Sequence, residues 1–91
     1  MGRIENRLFR LNDEIAALRR DEELAREELM IHRHLNDDAT RDAAVTGNPI
    51  DRADARETSG DVARFERHLD RLRRSREKLE AERDRLVRKL D

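Results

Sequence analysis

Three histidines and a large set of carboxylates are the side chains here with the widest chemical reach, because His, Asp and Glu are the usual general acids, general bases and metal ligands. Their spacing argues against such use. His32 and His34 are two residues apart, so on a helix they point away from one another; His68 would reach His32 or Glu28 only across a hairpin. The acids between Asn36 and Asp42 lack the spacing, the central glycine and the closing glutamate of an EF-hand loop, and read as solvated or helix-capping groups. Serine occurs only at Ser59 and Ser75, and Cys, Tyr and Trp are absent. Without cysteine there is no thiol nucleophile, no thiolate zinc site and no disulfide. The expectation is a protein with no catalytic residues, no metal and no cofactor, and not an enzyme.

The elements that would carry any site are helices. Charged residues make up 47% of the 91 and aromatics only 2%, so a globe of this size would lack the bulky side chains that fill a core. Long helices with narrow apolar stripes suit the composition. Ile4, Leu8, Leu11, Ile15, Leu18, Glu22, Ala25, Leu29 and His32 recur in alternating steps of four and three, the period of a coiled-coil seam. Val62, Phe65, Leu69, Leu72, Arg76, Leu79, Arg83, Leu86 and Leu90 repeat it. Folded back antiparallel, the two seams meet in one register: the numbers of each facing pair add to 94, as for Leu8 with Leu86, Ala25 with Leu69 and His32 with Val62. The centre of that register is residue 47, a glycine suited to ending a helix, followed by Asn48 as N-cap and Pro49 as first helical residue.

The expected fold is therefore all-α: a two-helix antiparallel coiled-coil hairpin, helix 1 over about 3–45, a turn over 46–48 and helix 2 over about 49–90. Asn36-Asp37-Asp38 and Ser59-Gly60-Asp61 are alternative break points; continuous helices, brought close by alanines around the turn, are the favoured version. Where charge interrupts the seam, Glu22 and Arg76 lie one layer apart and are expected to form an interhelical ion pair, with Arg83 in reach of Glu14 or Glu80. The alternative is that the arginines bend their heads out to water.

Helix 1 also carries apolar residues off its seam. Ala17, Leu24 and Ile31 recur every seven residues with Leu35 beside them, and Phe9 and Met30 sit on the neighbouring flank. A two-helix seam is a small core, so this second stripe is expected to be a homodimer face, giving a four-helix arrangement.

Lys and Arg number 21 and Asp and Glu 22, a net charge of -1, so nothing overall favours nucleic acid or an anionic membrane as partner. The distribution is uneven. Residues 36–61 hold seven acids against three arginines, and residues 62–91 hold eleven bases against seven acids. The basic run Arg71, Arg73, Arg74, Arg76 and Lys78 is interleaved with acids and has no aromatic partners, as on a salt-bridged helix face. No apolar run approaches the roughly 20 residues of a membrane span or forms a signal-peptide core, and a reducing cytoplasm is the expected location.

Asn48-Pro49-Ile50-Asp51-Arg52-Ala53, which opens helix 2, resembles the tip of the DksA/TraR family of RNA polymerase regulators. In that family a coiled-coil hairpin enters the polymerase secondary channel and presents a D-x-x-D-x-A motif. Carried over, Asp51 matches the second acid and Ala53 the alanine, while Asn48 replaces the first acid. The family's zinc-binding segment has no counterpart among these residues. The resemblance covers the six tip residues and the hairpin outline, and implies RNA polymerase as partner; the reading from the residues alone is a coiled-coil protein–protein interaction module whose protein partner is unidentified.

Overall fold

The computed structural model describes residues 2–90. The chain forms two helices, α1 (Arg3–Thr46, 44 residues) and α2 (Pro49–Arg88, 40 residues), joined at Gly47 and Asn48 into a helical hairpin. No strand occurs among the described residues.

The turn is built from the local chemistry of four residues. Gly47 adopts φ +62°, the left-handed conformation that a Cβ disfavours, and its N–H donates to the Ala43 carbonyl at 2.9 Å, closing the end of α1. Asn48 then caps α2: its side-chain Oδ1 accepts from Ile50 N–H at 2.8 Å, and its carbonyl accepts from Arg52 N–H at 3.0 Å. Pro49 takes the first helical position, where no N–H is needed. Thr46 Oγ1 donates to Asp51 Oδ2 at 2.5 Å and accepts from Asn48 N–H at 3.2 Å, which ties the two helix ends together. A Cβ at residue 47 would meet no atom within 4 Å, so a substitution there acts through backbone strain alone. Gly47→Ala is expected to cost about 1–2 kcal/mol and Gly47→Asn clearly less, read as shifts in the urea unfolding midpoint.

Both helices run past the alternative break points. Asn36 occupies the buried stripe of α1, and its Oδ1 accepts from Thr58 Oγ1 at 2.9 Å; these two residues face each other in the register read from the sequence. A side chain that would otherwise compete for its own backbone is thus satisfied across the hairpin. α2 stops at Arg88 rather than near residue 90, because the last turn tightens: Lys89 and Leu90 donate to the carbonyls three residues back, Leu86 and Val87, at 3.1 Å each.

Packing divides into two units. The base unit contains the described residues up to Glu23 and from Asp70 onward; the tip unit is Leu24–Leu69. In the base unit Leu11 is fully buried and Ile15 and Glu22 nearly so, with Leu8, Leu18, Leu72, Leu79 and Leu86 half-buried around them. In the tip unit Ala25 and Leu29 are buried, and His32 stacks on Phe65 with ring centroids 4.5 Å apart and planes inclined by 19°. Towards the turn the stripe is finished by small and polar side chains: Asn36, Ala39 and Ala43 on α1, Asp51, Ala55 and Thr58 on α2, all half-buried.

Candidate interaction surface

Ion pairs flank the apolar stripe on both sides. In the base unit, Arg7 forks onto Glu82 with Nε to Oε1 at 3.0 Å and Nη2 to Oε2 at 2.9 Å. Arg19 reaches Glu80 at 3.2 Å, and in the tip unit Arg33 reaches Glu66 at 3.5 Å. In the register, Arg19 faces Ser75 and Arg33 faces Asp61; each pairs five residues further along α2, whereas Arg7 faces Val87 and pairs five residues earlier. That displacement is what the two edge positions of a seven-residue repeat require when helices run antiparallel.

Glu22 and Arg76, one layer apart in the same register, meet inside the base unit. Arg76 Nε donates to Glu22 Oε2 at 2.5 Å and Nη2 to Oε1 at 3.1 Å, while Nη1 donates to Glu80 Oε1 at 2.8 Å. Arg19, Glu80, Arg76 and Glu22 form a chain of alternating charges that runs from the exposed edge to a carboxylate with 2% exposure. No buried side-chain nitrogen or oxygen among the described residues lacks a partner. Arg83 does not reach Glu14 or Glu80; it bonds its neighbour Asp84 at 3.1 Å, Glu80 already accepting from Arg76 and Arg19.

The hydrogen bond from Arg76 holds the Glu80 carboxyl below its ordinary value of 4.5, and that from Arg7 does the same for Glu82. Arg7 and Arg76 are raised by the same bonds and stay cationic throughout. A carboxylate whose folded value is depressed binds fewer protons in the folded than in the unfolded chain near pH 4.5, so stability rises with pH there and falls as the pH drops through the folded values. The hairpin is expected to lose urea resistance below pH 4.5, and Glu80→Gln with Glu82→Gln should flatten that part of the profile.

Four of the residues expected on the docking stripe, Leu24 (59% exposed), Met30 (67%), Ile31 (58%) and Leu35 (49%), stand out from α1 in the tip unit. Ala17, in the base unit, is half-buried and adds little apolar surface. Phe9 is exposed in the base unit but borders a shallow basic depression with Arg3, Asn6, Arg7 and Arg10. The expected face thus falls into an aliphatic row in one unit and an aromatic within arginines in the other.

Leu35 also lines an open groove in the tip unit with Ala39, Thr58 and six acids, among them Asp38, Asp42, Asp54 and Glu57. Six of the seven acids of residues 36–61 line this groove, and only the pairing of the helices puts the acids of both on one side. Of the candidate tip residues, Asn48 and Asp51 are occupied in closing the turn, and Ala53 is exposed at the start of the second turn of α2. His32 is engaged with Phe65, and among the described residues no three His, Asp or Glu side chains converge to hold a metal ion. No described helix is long and apolar enough to cross a membrane.

These features define a helical hairpin whose distinctive surface is an unpartnered aliphatic row with an acidic border. No family model matches the chain, and no curated protein or solved structure matches it significantly.

Proposed function

We propose that this protein is a non-enzymatic coiled-coil assembly module that binds protein chains through the outer side of α1, a second copy of itself among them. The observation that carries this reading is the exposure of Leu24 and Ile31, one heptad apart, with Leu35 a turn further on. Single apolar residues on a surface need no explanation, but a row at helical spacing beside an already filled stripe suits a helix packing against it. The four-three spacing of the buried and half-buried positions of α1 and of the half-buried positions of α2 supports knobs-into-holes packing within the hairpin. A chain without cysteine suits a reducing cytoplasm.

The polymerase-channel reading draws on the tight Gly47–Asn48 turn, which brings Asp51 and Asp54 close to the end of the hairpin. It is the weaker of the two, because Asp51 accepts from Thr46 and is only partly exposed. Capture of partners from a native lysate on immobilised wild type, Ile31→Glu and Asp51→Ala separates them. Partners lost with Ile31→Glu and kept by Asp51→Ala support the α1 surface. Partners indifferent to Ile31→Glu and Leu24→Glu overturn it, and polymerase large subunits lost only with Asp51→Ala favour the tip.

A further inference from the structure

The aliphatic row of α1 and the acidic groove beside it both belong to the tip unit and form one continuous surface there, joined at Leu35. We propose that this surface receives a basic amphipathic helix of a partner protein, whose apolar stripe covers Leu24, Ile31 and Leu35 and whose lysines or arginines lie over the acids of the groove. This rests on the reading of the α1 surface as a docking site and names the chemistry of its occupant.

Spacing makes the occupant a helix. Leu24, Glu28, Ile31, Leu35, Asp38 and Asp42 follow one another in steps of four, three, four, three and four, so they form one flank of α1, and all six are exposed. The flank is largely aliphatic at its start and acidic as it nears the turn. It spans about 27 Å at about 1.5 Å per residue, room for a partner helix of about five turns laid along it.

The carboxylates set the sign of the partner. No lysine or arginine stands on that flank, and none lines the groove, to which α2 adds Asp51, Asp54, Glu57 and Asp61. Three of the six acids of the groove are engaged: Asp38 with Arg41 at 3.6 Å, Asp51 with Thr46, and Asp61 with Arg64. Asp42, Asp54 and Glu57 have no cation or donor among the described residues, whereas the glutamates that edge the seam elsewhere, Glu66, Glu80 and Glu82, each hold an arginine of α1. Like charges left together in one groove repel, and cationic side chains laid between them relieve that repulsion. The same groove repels nucleic acid and anionic lipid. Since no three acids among the described residues converge to hold a metal ion, the cations suited to it are side chains of the chain that also covers the aliphatic row.

The test is fluorescence anisotropy with three labelled synthetic helices of about 18 residues, the length of the flank. One carries leucines at four-three spacing with lysines on either side, the second has the same leucines with glutamates, and the third has the composition of the first with its leucines scattered. Only the first is expected to bind saturably, and added salt should weaken it. Asp42→Asn, Asp54→Asn and Glu57→Gln together should lower its affinity about tenfold or more, while Asp13→Asn, Glu27→Gln and Asp37→Asn, which remove the same charge from exposed positions off this surface, leave it within about twofold. All six positions are exposed, and circular dichroism checks that each variant keeps its helicity. Equal losses in the two triple variants, or equal binding of the peptide with scattered leucines, would reduce the attraction to net charge and overturn the proposal. A glutamate-flanked peptide that binds as tightly and is lost with Ile31→Glu overturns the cationic partner and leaves the α1 docking surface standing. Binding of the lysine peptide that is indifferent to Ile31→Glu overturns the α1 surface as its site. Self-association that is lost with Ile31→Glu and that the lysine peptide does not displace makes a second copy the occupant instead.

Discussion

Leu11→Asp is expected to unfold the hairpin at room temperature, whereas Leu24→Asp leaves its helicity intact. Leu11 is the one fully buried large side chain among the described residues, and Leu24 is 59% exposed. Truncating a buried leucine costs about 2–5 kcal/mol through lost transfer energy and the cavity that remains. A carboxylate in its place adds the penalty of burying a polar group with no donor nearby, several kcal/mol more on the order of typical transfer values. A chain of this length has on the order of 5–14 kcal/mol of stability, and a two-helix stripe without large aromatic anchors belongs at the lower end. Helices that lose their partner keep only intrinsic propensity and short-range ion pairs such as Arg73–Asp70 at 2.6 Å, so the helical signal falls rather than merely loosening. Thermal melts followed by circular dichroism check this. Equal losses in the two variants would contradict the buried stripe described above.

Removing Arg76 alone is expected to be far more damaging than removing it together with Glu22. Glu22 is 2% exposed, and the Arg76 guanidinium supplies both of its cross-helix hydrogen bonds. Arg76→Leu leaves that carboxylate in an apolar seam, a loss of about 3–5 kcal/mol for a broken buried pair. Glu80 is less affected, since Arg19 still donates to it at the exposed edge. The double variant Glu22→Leu, Arg76→Leu deletes both charges and fills the layer with leucine, so its stability should equal or exceed wild type by up to about 4 kcal/mol. Urea titrations of the four members of this cycle measure the coupling. A single variant no weaker than the double would show that the pair holds nothing the seam needs. If the double variant also broadens its unfolding transition or changes its mass in solution, the pair serves to specify register, the role polar seam residues are best known for.

Much of the architecture was readable from residue type and spacing. The stripes from Ile4 to His32 and from Val62 to Leu86 are aliphatic enough to announce their period, and Gly47-Asn48-Pro49 carries the backbone requirements of a helix end and a helix start in its own covalent structure. Between them the signal fades. Asn36, Ala39, Ala43, Ala55 and Thr58 continue the same four-three steps, yet their small or polar side chains give no apolar contrast, so continuous helices and helices broken near residues 36–38 and 59–61 were both consistent with the chain. The Asn36–Thr58 hydrogen bond resolves it, because a polar residue in the stripe is tolerated only once its partner is in place.

The surface was less legible, for a reason rooted in reach. A long side chain chooses among several partners within a few ångströms, and periodicity does not rank them: Arg83 turned to Asp84 because Arg76 and Arg19 already occupy Glu80. The repeat places Phe9 on the flank beside the aliphatic row, but it borders a depression with Arg3, Arg7 and Arg10. By itself the sequence determined the helices, their turn, their register and the existence of a second apolar stripe on α1, since these follow from backbone preference and the seven-residue repeat. The tertiary structure alone decided which charges meet, that acids of both helices line one groove, and that Leu24, Ile31 and Leu35 stay exposed. Those are outcomes of competition among neighbours brought together only when the two helices pair.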